Sequence, residues 1–584
     1  MKTELTDSSS AQKNPAKFYA ILLLLCCVCA TYCCWMNYRL YQHRAPFFDS
    51  ISYNHRMFQV MHTAQESGFG DAIELACFGT VTNCFQFVVG AVLSYVVPPS
   101  RFVGVWIQAG FLFLFLGSLF HFLHSVKRLK PLFALAGCLP FLLTKGLYLP
   151  NGGLSDFRAD LALYLTFGLT CVWFLISMAR PKPLNFCILG IAATLACLSR
   201  AIAPVYLVIA LAPLAVYELC RRAERKQKWI GLVLATVVAT IGSGWFYYFN
   251  FEYLEFYYVQ WNTDANAKLP VSESMKHATL ALRSVGNTIL IVSVIIVFST
   301  VFVTSRTGSL LGWALRIRSK QEIDWRLAWL AVAPIALLVV RRSGLNSLVS
   351  MPAVFGIIAF ISLPILFQLQ RLNRSGLNRF CLLLLVLVSV DSLHRGWKRH
   401  SLGDFNSMSV NQELIDTMVN EVKESTRKTA RFSVVHLADL NTQSLFSTLM
   451  FDHPVEEYKL NRAVVDGVLV SPISLFSLAA EVDWKRVEGK TDEEKIASLV
   501  AESNKRLDFV ILPDHTTAKY LTKNRSKNVI NRYLVPLRKQ FVDSASWEKV
   551  ESGWRMGRHE SVELYKKVRS NKKRNRKTST FKLR

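Results

Sequence analysis

The chain has 584 residues, 52% of them hydrophobic and 12% aromatic, and a formal net charge of +27. That composition excludes a disordered chain and an ordinary soluble enzyme. A basic balance of this size could suggest nucleic acid, but in a membrane protein it more often reflects cytoplasmic loops and contacts with anionic lipid, so no nucleic-acid partner is expected.

A helix needs about 20 apolar residues to span a hydrocarbon core of roughly 30 Å. Uncharged runs of that kind stand at 18–36, 102–120, 161–179, 229–249, 286–304 and 349–367. The first lacks a small-residue cleavage site, so it reads as a retained span at about 18–37 behind a cytoplasmic N-terminus, residues 1–17. Most of the thirteen cysteines lie in apolar runs such as "LLLLCCVCATYCCW", and none lies beyond Cys381. They read as small apolar residues.

Beyond span one, "YQHRAPFFDSISYNHRMFQ" places Asp49 among Pro46, Phe47, Phe48 and Tyr53, where the chain leaves the bilayer. A long outer loop, 38–101, follows. Its uncharged stretch 75–100 could pass for a span by hydropathy. If it stays on the outer face, the cytoplasmic loops carry eighteen Lys or Arg against about eleven in the longer outer segments. A full crossing would invert that asymmetry. An interfacial or re-entrant pair of helices is therefore predicted, and Gly79, Asn83, Gln86 and Gly90 suit such a pair lying over a protein cavity.

Further spans are predicted at about 102–124, 131–149, 158–179, 184–199, 201–219, 229–249, 286–304, 327–340, 347–369 and 378–394. The expected fold is a polytopic α-helical membrane protein of about eleven spans, residues 18–399, with a C-terminal soluble α/β domain at 400–565 on the outer side. In that domain "RFSVVHLAD" and "RLDFVILPDH" read as buried strands, 411–428 as an amphipathic helix, and "WEKVESGWRMGRHESVELYKK" as a strand pair. It has no GxGxxG and no P-loop. His453 and His515 are isolated and read as surface or packing residues. The tail, 566–584, holds ten Lys or Arg and reads as a solvated basic segment.

This topology gathers ionisable residues on the outer face: Asp49; Asp156, Arg158 and Asp160 in "NGGLSDFRADLALYL"; Arg200 in "CLSRAIAPVY"; Arg341 and Arg342 in "LLVVRRSGLNSLVSMPAV". Each has an ordinary reading. Asp156 would serve as a helix cap stabilising by about 1 kcal/mol, the arginines would snorkel, and Asp49 would be solvated. Together they match transfer from a phosphate-linked donor, in which a carboxylate takes the acceptor's proton and guanidiniums stabilise the departing phosphate. No nucleotide sugar is available on that face, so the donor is expected to be a lipid.

Four stretches carry a family resemblance: "FFDSISY" after span one, "GGLSDFRADLALYL" opening the fourth span, the short pair turning at Arg200, and "SGLNSLVSMPAV" late in the bundle. Over roughly residues 15–395 the chain resembles GT-C class membrane glycosyltransferases, similar to the protein O-mannosyltransferases and the lipid A aminoarabinose transferases, in the subgroup of bacterial family 39 and 83-like enzymes. The resemblance implies a GT-C-like bundle and an inverting transferase, using a polyprenyl-phosphate sugar donor, in the bacterial cytoplasmic membrane with its site facing outward. The acceptor would be a lipid, a glycan or a protein. It implies Asp49 as general base and Asp160 as the second acidic residue, with Asp156 close behind; Arg158, Arg200, Arg341 and Arg342 are candidates for the donor phosphate by their shared outer placement. Two departures stand out: Ser50 follows Asp49 where a second acid is frequent, and Leu348 and Val349 precede Ser350 where an aromatic is usual.

Asp49 with Asp160 could hold Mg²⁺ or Mn²⁺ through oxygen. The alternative function is a transporter or flippase of a lipid-linked sugar, for which internal repeats are the usual sign. None is visible. A third reading, a structural assembly protein, leaves the two acidic loops unexplained.

Overall fold

A computed structural model describes residues 15–41, 49–79, 82–142, 144–148, 153–154, 157–221, 224–255, 257–258, 325–341, 356, 358–359, 407–425, 428–435, 445, 457–459, 462–473, 478, 491–524, 529–557 and 560–568. The chain forms two compact units, residues 1–38 with 53–401, and residues 39–52 with 402–584.

The first unit is helical. α1 (Ala16–Tyr41) has 26 residues, about 39 Å at 1.5 Å per residue and enough to cross a bilayer. α2 (Asp49–Glu66) follows. The stretch expected to lie at the interface is not one helix: α3 (Phe69–Cys77) and α4 (Phe85–Leu93) have nine residues each, about 14 Å, too short to cross. Gly68 at φ 106° and Gly79 at φ 90° bracket α3, and that left-handed backbone is what glycine supplies at a sharp redirection.

α5 (Val103–His121) continues through a π-helical turn to Val126. α6 (Pro131–Leu142) corrects the expected span 131–149. Its helix stops at Leu142, and a 3₁₀ turn, Lys145–Tyr148, takes over. Pro140 removes a donor from its last turn, and Lys145 ends the uncharged run. α7 (Ala159–Ala179) is the centre of the unit, with every residue from Ala159 to Met178 buried except Trp173. A helix apolar all round has no solvent face to present; its hydroxyls bond inward, Thr166 to Ala162 O at 2.6 Å and Thr170 to Thr166 O at 2.7 Å.

α8 (Pro183–Ser199), α9 (Ala203–Cys220), α10 (Arg225–Phe249) and the short α11 (Phe251–Glu255) complete the first run. α12 (Trp325–Arg341) packs on α9, with Trp329 Nε1 donating to Ala210 O at 3.0 Å. One end of α9 is fixed by charge: buried Glu218 accepts from Lys228 at 2.9 Å and from Arg326 at 3.0 Å. Among the described residues five helices are long and apolar enough to cross a membrane, namely α1, α5 with its extension, α7, α9 and α10. This is an integral membrane protein. The expected spans 286–304 and 378–394, and all of 347–369 but three residues, lie outside the described residues.

The second unit is α/β. β1 (Thr429–Val434), β2 (Glu457–Lys459), β3 (Arg462–Val465), β4 (Val468–Pro472), β5 (Phe509–Pro513), β6 (Trp547–Gly557) and β7 (Glu560–Lys567) form one sheet in the order β2-β3-β4-β1-β5-β7-β6. β1 pairs in parallel with both β4 and β5, and the remaining pairs are antiparallel. β5, parallel to β1 and antiparallel to β7 inside the sheet, is buried along its whole length. The expected strands at 431–439, 506–515 and 547–567 correspond to β1, β5 and the β6–β7 hairpin. The expected helix 411–428 is α13 (Ser407–Glu424), displaced toward the N-terminus because β1 claims the chain from Thr429. α14 (Asp492–Arg506), α15 (His515–Asn524) and α16 (Val529–Asp543) are the other helices described. α14 opens on a capping box between Thr491 and Glu494.

Candidate active site

Asp160 stands in the first turn of α7, where the helix dipole favours a carboxylate. The two residues that lead into the helix are fixed from α5. The Phe157 ring fills the space that a Cβ on Gly104 would occupy, and Gln108 Nε2 donates to Arg158 O at 3.0 Å. Phe157 also meets Tyr53 of α2 at 6.5 Å and Phe87 of α4 at 6.2 Å, both edge to face. An aromatic wall thus backs the start of α7.

Arg200 comes from the other side, in extended backbone between α8 and α9. Pro204 in the first turn of α9 restarts the helix at once, since proline is tolerated where no amide donor is needed. The turn is gripped from several directions. Cys84 N donates to Leu198 O at 2.9 Å and Ala201 N to Thr82 O at 2.8 Å, Gln86 Nε2 reaches Ser199 O at 3.4 Å, and Tyr247 OH donates to Ala201 O at 3.0 Å. The α3–α4 connection therefore sets the position of the arginine.

The two ends meet in an ion pair, Arg200 Nη1 to Asp160 Oδ1 at 2.7 Å, with the side chains only 14% and 6% exposed. Arg158, two residues before Asp160, is buried as well. Tyr53, Tyr257 and Tyr258 lie within electrostatic reach of Arg200. The pair is close but poorly aligned for hydrogen bonding. Asp160 Oδ1 and Arg200 Nε, both buried, have no aligned hydrogen-bond partner among the described residues.

Of the residues singled out in the sequence, the structure brings Asp160 and Arg200 together, with Arg158 beside them in the chain. Asp49 is the first residue of α2, four before Tyr53, and Arg341 the last of α12; their side chains lie outside the described residues, as do Asp156 and Arg342 altogether. Gln108 and Gly104 escaped the sequence reading. An isolated amide inside the apolar run "VGVWIQAGFLF" was the available signal, because a polar group at membrane depth needs a partner. Of the two carboxylates considered for a divalent metal, Asp160 faces the Arg200 guanidinium, and the Asp49 side chain lies outside the described residues.

No family model matches the chain, and no curated protein matches it. Solved structures do. Apo ArnT from Cupriavidus metallidurans aligns over 94% of this chain and 98% of its own, with a TM-score of 0.54 at 10% identity. The same protein bound to undecaprenyl phosphate aligns over 92% and 97%, with a TM-score of 0.51 at 10% identity. Coverage of nearly the whole of both chains, with the helical unit and the α/β unit included, gives this protein the GT-C glycosyltransferase fold.

Proposed function

We propose that the protein is a glycosyltransferase that moves a sugar from a polyprenyl-phosphate donor to a lipid, glycan or protein acceptor on the outer face of the membrane. The observation that carries this reading is the buried Asp160–Arg200 pair at the helix ends of a GT-C fold. Among the described residues Arg200 Nε is buried without a hydrogen-bond partner, a costly arrangement unless a ligand satisfies it, and a phosphate suits the planar fork of a guanidinium. The fold neighbour that binds undecaprenyl phosphate supports a polyprenyl phosphate as the lipid half of the donor.

In the proposed reaction the acceptor's hydroxyl or amine attacks the anomeric carbon from the face opposite the phosphate. The carbon–oxygen bond to the phosphate breaks with inversion, and polyprenyl phosphate departs. Asp49 takes the acceptor proton. Asp160 orients Arg200, while Arg200 and Arg158, joined by Arg341 or Arg342, stabilise the charge that develops on the leaving phosphate.

The test supplies a synthetic polyprenyl-phosphate sugar to the purified protein in lipid and follows release of the lipid phosphate on adding acceptor. Asp49→Asn should slow the chemical step by about 10²–10⁴-fold, the range for loss of a general base. Arg200→Lys keeps the charge and loses the fork, so it should raise the donor requirement. Turnover near wild type in Asp49→Asn would reduce Asp49 to an interfacial residue and move the assignment to Asp156 or Asp160. Donor carried intact across the vesicle, with no phosphate released, would make the protein a flippase instead.

A further inference from the structure

We propose that Tyr247, in the last turn of α10, is a positioning residue that sets where the Arg200 guanidinium stands against the donor phosphate. The role rests on the transferase reading above. Arg200 is tied into the helices on either side of it, its N donating to Ala196 O at 3.2 Å and its O accepting from Ala203 N at 2.9 Å. Ala201 is held from outside them. Its N donates to Thr82 O at 2.8 Å, and its O accepts from the Tyr247 hydroxyl at 3.0 Å. The same hydroxyl stands 3.4 Å from Cys197 O, so one phenol touches the chain both before and after the arginine. Backbone outside a helix at membrane depth needs such partners.

The packing of α8 against α10 brings the phenol there. Phe186 lies where a Cβ on Gly231 would stand, Val238 where one on Gly190 would, and Thr194 where one on Gly242 would. These contacts advance in step along the two helices, and the next in the series is Tyr247 at the end of α8. The last turn of α10 is itself anchored. Asn250 Nδ2 donates to Cys77 O and to Phe246 O, each at 2.9 Å, while Trp245 and Phe249 meet the Phe78 ring at 5.9 and 5.4 Å. The next residue, Tyr248, is 78% exposed. Of two adjacent tyrosines, one holds the turn and the other faces outward.

A guanidinium on a four-atom stem points where its backbone aims it. Arg200 already meets Asp160 at 2.7 Å, and the phosphate must engage the rest of the fork. Without the Tyr247 hydroxyl, the carbonyl of buried Ala201 loses that donor and the turn relaxes toward another partner. The fork then sits off the position that stabilises charge on the leaving phosphate, and small displacements of that kind are costly to rate.

The test follows release of lipid phosphate by the purified full-length protein in lipid, varying a synthetic polyprenyl-phosphate sugar and the acceptor separately. Tyr247→Phe removes only the hydroxyl. It should lower kcat/KM for the donor by about 10–10²-fold and leave the acceptor KM unchanged, while Tyr248→Phe matches wild type. On Arg200→Lys no fork remains to be aimed, so adding Tyr247→Phe should change kcat/KM by less than about 2-fold, whereas a loss acting through general stability would multiply. Wild-type donor kinetics in Tyr247→Phe would overturn the proposal, as would losses that multiply on Arg200→Lys or an equal loss in Tyr248→Phe. Hydrogen exchange in peptides overlapping at Ala201 reads the turn without turnover: the Ala201 amide should exchange faster in Tyr247→Phe than in wild type, and unchanged exchange would overturn the hold on the turn. Failure of the transferase reading shows itself separately, as no phosphate released by the wild-type protein, and it would remove the role assigned to Tyr247.

Discussion

Asp160 opens α7 and Arg200 follows α8, each among mostly apolar buried neighbours, with Arg158 buried beside Asp160 in the chain. Taking either charge from water is expensive, and each is tolerable because of the other. Asp160→Leu or Arg200→Met alone should therefore destabilise the protein by about 3–5 kcal/mol, the cost of an uncompensated buried charge. The double replacement should recover most of that in thermal unfolding in detergent, yet show no turnover. Restored turnover in the double variant would mean that the pair is architecture alone. Both residues were legible in the sequence because a charge inside an apolar stretch stands out. Their pairing was not, since it depends on two helix ends meeting far apart in the chain, and Gln108 was missed because a lone neutral amide barely alters hydropathy.

At the scale of elements, length and apolarity made the long helices readable, whereas their ends and breaks depend on local chemistry. Pro140 and Lys145 shortened α6, and the glycines around α3 divided what hydropathy alone would join. The strands β2, β3 and β4 have three to five residues each, too few for an alternation to declare itself. Contact between α8 and α10 was equally hidden. It depends on Gly190, where a Cβ would stand 2.7 Å from Ala235 O and 2.6 Å from Val238 Cβ, the close approach that small residues permit between membrane helices. Gly190→Val should force the helices apart and cost about 1–3 kcal/mol, the usual range for overpacking. Gly110 in α5, where a Cβ meets open space, is the control, and Gly110→Ala should leave the midpoint unchanged or raise it. Equal midpoints for Gly190→Val and wild type would show that α8 and α10 are not held at glycine distance.

Over the whole molecule, composition announced a membrane bundle and the drop in hydropathy after residue 400 announced a second, polar unit. That unit's sheet order was out of reach, because which strands neighbour one another is decided by pairing across long connections. One property of the unit follows from its charges. Glu563 on β7 is mostly buried, and burial, the largest influence on it, raises its pKa. Lys549 at 2.8 Å, Arg538 at 2.5 Å and the Tyr565 hydroxyl at 3.1 Å outweigh burial and bring it below the ordinary 4.5. Asp514, bonded to Ser561 and the Thr517 amide with Arg538 nearby, is likewise brought below 3.8 despite burial. Carboxylates depressed in the folded state bind fewer protons there than in the unfolded chain, so stability is lost as protons are forced on. Their contribution should be fully present above about pH 4.5 and fall as the pH drops through their lowered folded values. Glu563→Gln removes the charge and keeps the shape. It should lower stability at pH 7 by about 1.5–3 kcal/mol, the scale of hydrogen bonds to a charged group, and flatten the decline below pH 4.5. Urea unfolding of the full-length protein, read by hydrogen exchange in peptides from β5 and β7 and normalised at each pH to the unfolded peptide, measures both effects. An unaltered acid limb in Glu563→Gln would show that Glu563 does not govern the acid response of the sheet, leaving Asp514 as the carboxylate to replace next.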